Sequence, residues 1–177
     1  IGALTIAPSD KNILWVGTGE GDPRNSVGYG WGVYRSIDGG DSWKHLGLKK
    51  TERIKRIVVD PKDPDIACVC ALGKEWGPNK ERGVFKTIDG GKNWDKILYI
   101  DEDTGCSDIA MENENPRIMY AGMWTFRRRP WRFDDGGKNT AIYKTTDGGE
   151  TWMKIMKGLP EGNMARPGIH IAQSNPN

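Results

Sequence analysis

Ser36-Ile37-Asp38-Gly39-Gly40-Asp41-Ser42-Trp43 decides the fold, because the same pattern returns twice. The second copy is Thr87-Ile88-Asp89-Gly90-Gly91-Lys92-Asn93-Trp94, and the third is Thr145-Thr146-Asp147-Gly148-Gly149-Glu150-Thr151-Trp152. An apolar-aromatic pair and a basic residue (Arg35, Lys86 or Lys144) precede each copy, and the Trp-to-Trp spacings are 51 and 58 residues. Three copies of an eight-residue pattern at such spacing mark an internal repeat. Asp-Gly-Gly between two strands supplies positive-φ positions without steric cost. The carboxylates of Asp38, Asp89 and Asp147 can accept backbone N–H bonds inside the turn, and the Ser or Thr hydroxyl adds a second local bond. Trp43, Trp94 and Trp152 are expected to bury their rings beside the turn, between neighbouring sheets. Residues flanking the turns do not repeat the oxygen ligands that a metal loop needs, so the turns read as structural and no metal is assigned.

Each copy sits at the same place in a longer unit. Two apolar runs joined by a Pro/Asp/Asn turn come first: Ala3–Ala7 and Ile13–Gly17, Arg56–Asp60 and Ile66–Leu72, Asp108–Met111 and Ile118–Trp124. A polar loop, a third strand (Gly32–Ser36, Gly83–Thr87, Ala141–Thr145), the Asp-Gly-Gly turn and a fourth strand follow. No helical periodicity of any length interrupts them. The chain is therefore all-β: a partial β-propeller of three four-stranded antiparallel blades, over 1–51, 52–105 and 106–165, with the start of a fourth at 166–177. Three blades and a fragment do not close a ring. Further blades or a partner are expected to cover the apolar faces that an open arc exposes.

The repeat resembles the Asp-box, or bacterial neuraminidase repeat, of β-propellers. That element occurs in sialidases, in xyloglucanase-type glycoside hydrolases, in the luminal propeller of sortilin and in the photosystem II assembly factor. The resemblance is closest to bacterial secreted BNR-repeat, sortilin-like "glycosyl hydrolase" proteins. It is carried also by Val16–Glu20, Ala71–Gly73, Gly77–Gly83, Tyr99–Gly105 and Arg127–Trp131, and it covers essentially the whole chain. It implies a seven-bladed ring, possibly two in one polypeptide, and a secreted, periplasmic or cell-surface location. Sialidases carry an arginine triad, a tyrosine nucleophile and a Phe/Tyr-Arg-Ile-Pro motif, which Arg129-Pro130 does not match. In xyloglucanase-type enzymes the two acids come from separate propellers, so no catalytic residue can be carried over here.

Blade topology places the expected recognition surface. In a four-stranded meander the first-to-second and third-to-fourth turns share one face of the disc, and the second-to-third loops and blade connections share the other. The long insertions Glu20–Trp31, Lys74–Arg82 and Thr125–Thr140 are all second-to-third loops. Long loops on one face of a rigid scaffold are where recognition concentrates. Glu20, Asp22, Arg24 and Trp31, Glu75 and Trp76, and Arg127, Arg129 and Trp131 are the candidate ligand-binding residues. Trp beside Arg and carboxylate suits a sugar ring or a peptide anchor. The expected function is recognition or scaffolding outside the cytoplasm, with a protein, peptide or glycan partner. The alternative is part of a glycoside hydrolase whose paired acids lie among Glu20, Asp22, Glu75 and Asp101-Glu102-Asp103.

Composition excludes other classes. Lys+Arg 26 against Asp+Glu 24 leaves a charge of +2, without the basic excess of a nucleic-acid coat, so Arg127–Arg132 reads as a solvated or ion-paired loop. No apolar run approaches the length of a membrane span, and no cofactor motif is present. His45 and His170 are the only histidines, and no Ser/His/Asp triad is plausible. Cys68 and Cys70 lie two apart and face one side of a strand, so together with Cys106 they read as buried structural thiols. The chain opens on the strand-like run Ile1–Ala7 and closes on Ser174–Asn177, which reads as a turn, so it is taken as a segment of a longer chain.

Overall fold

The structure is a computed structural model that describes residues 1–172; the turn expected at Ser174–Asn177 lies outside them. Strands β1 (Ala3–Ala7), β2 (Asp10–Gly17), β3 (Val33–Ser36) and β4 (Lys44–His45) form one antiparallel sheet in sequence order. The second holds β5 (Ile54–Val59), β6 (Ala67–Ala71), β7 (Gly83–Thr87) and β8 (Asp95–Leu98). The third holds β9 (Thr104–Met111), β10 (Met119–Arg129), β11 (Arg132–Asp135), β12 (Ala141–Thr145) and β13 (Met153–Ile155), where β11 pairs only with the far end of β10. The single helical element among the described residues is a 3-10 turn at Lys49–Thr51.

Alternation along β6 shows why the sheets stack. Ala67, Val69 and Ala71 face the first sheet and join Trp15, Val33 and Ile57 in one seam core. Cys68 and Cys70 face the third sheet and join Cys106, Ile109, Met119 and Met123 in the next. Every residue of β6 is buried, as a strand with a sheet on each side requires. The innermost strands run side by side: Thr5 donates to the Ile57 carbonyl at 2.7 Å, and Arg56 pairs with Asp108 at 3.2 Å. Asp108 also accepts the Ile169 N–H at 2.8 Å, which seats the segment 168–172 beside β9 without a ladder of its own.

Two sequence expectations need correction here. Cys70 and Cys106 are not free thiols: they form a disulfide with Cα atoms 5.0 Å apart, joining β6 to β9 across the second seam. The pairing runs between sheets, so spacing within one strand could not show it. Cys68 alone stays a buried thiol, pushed up to about 12 by desolvation. The insertion Thr125–Thr140 is also no open loop, because β10 overruns the sheet and returns as β11. That hairpin stacks Phe126 on Trp124 (centroids 4.4 Å) and sets Phe133 edge-on to Trp124 (5.9 Å).

The three Asp-Gly-Gly turns share one geometry. Asp89 accepts from Thr87 Oγ1 (2.8 Å), Asn93 N (3.0 Å) and Asn93 Nδ2 (2.7 Å), while Thr87 Oγ1 accepts from Gly91 N (2.9 Å). Asp38 and Asp147 accept from Ser36 and Thr145 hydroxyls at 2.6 Å each. Bonds to the charged carboxylate hold Asp89 down at about 2, and hold Asp38 and Asp147 well below the usual range. Gly91 sits at φ +86°, where a Cβ would meet Leu46 Cδ1 of the first sheet at 2.6 Å, so positive φ and close sheet approach both require glycine.

The first seam is tied in both directions and the second by its forward bond, Trp152 Nε1 at the second having no hydrogen-bond partner among the described residues. Trp94 Nε1 reaches back to the Leu46 carbonyl at 2.8 Å. The basic residue of the repeat reaches forward: Arg35 to the Gly90 carbonyl (3.3 Å) and Asp65 (2.6 Å), and Lys86 to the Gly148 carbonyl (2.8 Å). Trp94 and Trp152 are half-buried against the seam cores, whereas Trp43 is 41% exposed because no sheet precedes the first among the described residues. Leu4 and Ile6 on β1 are exposed as well.

Candidate functional site

Gly39, Gly90 and Gly148 donate their N–H groups to the carbonyls of Asn12, Asp65 and Arg117 at 2.9–3.0 Å, so the Asp-box turns clasp the first-to-second turns on one face. The long insertions and the sheet-to-sheet connections gather on the other. There Gly30 N donates to Glu52 O (2.8 Å) and Asn79 N to Glu102 O (2.9 Å), and Arg128 N meets Glu75 O at 3.4 Å. These bonds join the insertions into one continuous surface.

Beneath that surface lies a buried ionic layer. Glu75 is fully buried and paired with Arg53, itself fully buried. Burial pushes the Glu75 carboxyl up, against the pull of Arg53. Arg82, also buried, donates to the carbonyls of Leu72 and Lys74 (2.8 Å each), and its guanidinium lies 4.4 Å from the Phe126 ring centroid. Burial lowers Arg82 to about 10. Arg82 thus pins the second insertion from within, and Glu75 is out of reach of any ligand on the surface.

The other candidates stand at the surface, and most of their charges are paired. Glu20 pairs with Arg24 and accepts the Gly28 N–H at 3.2 Å. Asp22 pairs with Lys55 (2.8 Å) and Arg166 (2.6 Å), which hold its carboxyl below the usual range. Arg127 pairs with Asp103, and Arg129 with Asp134 at 3.4 Å. Burial raises the Asp101 carboxyl, but hydrogen bonds from Asn139, Thr104 and backbone N–H groups outweigh it and leave the group lowered. Trp31 is 63% exposed under the Lys49 ammonium (5.4 Å), Trp76 is 40% exposed, and Trp131 at the hairpin tip is 80% exposed.

A groove of about 480 Å³ opens on this face between Asp22 and Pro23 of the first insertion, Trp124, Phe133 and Asp135 of the third, and Ala165 and Arg166. Trp124 Nε1 donates to Asp135 at 2.9 Å, and Arg166 lies 5.7 Å from the Trp124 ring centroid. The structure thus brings Asp22 to the groove and leaves Glu20, Trp31, Trp76 and Trp131 around the wider face. Sequence reasoning missed Trp124, Phe133 and Arg166. The apolar alternation Trp124-Thr125-Phe126 and the return at Phe133 were the signals for the first two; no local signal marks Arg166, which comes from the connection after the third sheet.

No group of three or more His, Cys, Asp or Glu suited to a metal ion occurs among the described residues, and none of their helices is long and apolar enough to cross a membrane.

Comparison with known proteins agrees with this architecture. The chain is 26% identical to a xyloglucanase of Paenibacillus sp over 96% of its own length and 17% of that protein's. It is 24% identical to the xyloglucanase Xgh74A of Acetivibrio thermocellus over 94% of its length and 21% of that protein's. It therefore spans about a fifth of the curated relatives it matches. Among solved structures, a GH74 enzyme of Niastella koreensis superposes over 99% of this chain and 24% of its own (TM-score 0.67, 22% identity). YCF48 from Cyanidioschyzon merolae superposes over 86% and 35% (TM-score 0.50, 20% identity). These likenesses show the β-propeller fold. The profile of the Sortilin-Vps10 family, described as sortilin, neurotensin receptor 3, matches residues 32–168, and the chain belongs to that family.

Proposed function

We propose that this chain is the recognition segment of an extracytoplasmic β-propeller that holds a glycan chain across its long-loop face. The observation that carries the reading is the exposed aromatic surface of Trp31, Trp76 and Trp131 on the long-loop face, around a groove edged by Asp22, Asp135 and Arg166, which half-buried Phe133 lines and buried Trp124 backs from beneath. Flat aromatic surface beside a few fixed polar groups suits pyranose rings, whose two faces are apolar and whose edges carry hydroxyls. The carboxylates on this face are engaged rather than poised. A glycosidase acid needs a raised pKa, whereas Asp22 is lowered by two cations and the raised Glu75 is buried. The inter-sheet disulfide supports a location outside the reducing cytosol.

A second reading, part of a glycoside hydrolase, rests on the similarity to xyloglucanases and on the two carboxylates, Asp22 and Asp135, that border the groove. One experiment separates the two: a screen of polysaccharides against the full-length parent protein, scoring binding and new reducing ends together. Binding without cleavage is expected. Cleavage abolished by Asp22→Asn or Asp135→Asn would replace the recognition reading with the hydrolase one.

A further inference from the structure

The third insertion presents charge and aromatic surface in an unusual arrangement. Its six-residue tip reads Arg127-Arg128-Arg129-Pro130-Trp131-Arg132. Pairing of Arg129 with Arg132, and of Arg127 with Asp134, puts Arg127, Arg129, Arg132 and Asp134 on one side of the hairpin, with Pro130-Trp131 as its two-residue turn. Arg127 is taken by Asp103. Arg129 and Arg132 share the single carboxylate of Asp134, and their side chains remain 47% and 70% exposed.

Several other cations of the insertions and connections each have a carboxylate of their own. Arg24 has Glu20, Arg53 has Glu75, Lys74 has Glu52 and Lys80 has Glu102. Two exposed guanidiniums around one carboxylate leave a positive excess directly beside Trp131, the most exposed aromatic of the chain at 80%. The tip is held firm: Phe126 and Phe133 anchor its base on Trp124, and the Arg128 guanidinium lies 5.2 Å from the Phe133 centroid. A rigid hairpin loses little freedom when it binds, which favours capture.

We infer that this tip binds the carboxylate-bearing residues of an acidic polysaccharide, with Trp131 stacking on a hexuronate ring and Arg129 and Arg132 gripping its carboxylate. The inference rests on the glycan-recognition reading and specifies the class of glycan. Its chemistry is that of the uronate itself. The carboxylate is a direct substituent of the pyranose ring, so the apolar face and the anion meet the aromatic plane and the guanidinium forks within one sugar residue. Guanidinium matches carboxylate in bidentate geometry. An acidic peptide would offer carboxylates on flexible stems with no flat face for Trp131.

The test uses the full-length parent protein in affinity electrophoresis through gels holding polygalacturonate, fully methyl-esterified polygalacturonate, neutral xyloglucan or polyglutamate. Polygalacturonate is expected to retard the protein most, with affinity about tenfold above that for its methyl ester, since esterification removes the charge but keeps the ring. Raising salt from about 50 mM to about 500 mM should weaken the interaction through screening. The double variant R129Q/R132Q, and separately Trp131→Ala, should each lose about tenfold in affinity for polygalacturonate at an unchanged unfolding temperature. Equal affinity for the acid and its ester, or unchanged binding by R129Q/R132Q, overturns the inference while leaving glycan recognition standing. Stronger retardation by polyglutamate overturns it in favour of an acidic peptide. Binding to none of the four polymers overturns it together with the glycan reading.

Discussion

The indole of Trp94 meets that of Trp15 edge-on, with ring centroids 6.1 Å apart and planes at 81°. Trp94 belongs to the second Asp box and Trp15 to β2 of the first sheet, so this contact is where one repeat recognises its predecessor. Edge-to-face pairing adds to the area the rings bury. Trp94→Ala is expected to cost about 3 kcal/mol, read as a lower denaturation midpoint. In the full-length protein Trp43→Ala should destabilise comparably, because a preceding sheet would place Trp43 as Trp94 is placed here. A neutral Trp43→Ala would mean that this face stays uncovered.

Acid should loosen the turns before the cores. Asp38, Asp89 and Asp147 are held below their ordinary values by hydrogen bonds to the charged carboxylate. A group whose folded-state pKa is depressed contributes stability that is complete above about pH 4 and is lost as pH falls through the folded value. The unfolding temperature should therefore drop steeply between about pH 4 and pH 2. Asp89→Asn should lower it at neutral pH and flatten that drop. An identical acid profile in the variant would show that this turn does not govern acid stability.

Reducing the disulfide should weaken the second seam selectively. The bridge closes 36 residues of chain, for which loop entropy gives about 3–4 kcal/mol. Cys70→Ser should shift the denaturant midpoint accordingly and remove sensitivity to dithiothreitol. Cys68, buried and pushed up to about 12, should resist alkylation until the protein unfolds. Rapid labelling of Cys68 in the native protein would contradict its placement.

Glu75→Ala should behave as a stability variant. It would leave the fully buried Arg53 without its carboxylate, a loss of about 3–5 kcal/mol. Thermal unfolding measured beside glycan binding distinguishes the roles: a selective loss of binding at unchanged stability would place Glu75 in a ligand site after all.

The repeat made the sheets legible because its turn chemistry is local: Asp, two glycines and a hydroxyl within five residues specify one geometry wherever they occur. The two faces of the disc followed from strand order alone. What stayed hidden depends on contacts between sheets. Cys70 meets Cys106 only once β6 and β9 face each other, and Glu75 looked like a surface acid until Arg53 and the overlying hairpin enclosed it. The hairpin itself was masked by its arginines, whose charge reads as loop although Trp124, Phe126 and Phe133 keep strand alternation beneath them.

The seam bonds from Trp94, Arg35 and Lys86 end on main-chain carbonyls of Leu46, Gly90 and Gly148. Every residue type carries that acceptor, so no substitution in the receiving sheet can delete it. A duplicated copy of the second repeat, which carries both Trp94 and Lys86, therefore arrives with its own means of attachment on both sides, needing no matched partner mutation. Growth of the ring by copying whole units, followed by free divergence of the loops they carry, is the evolutionary path this wiring leaves open.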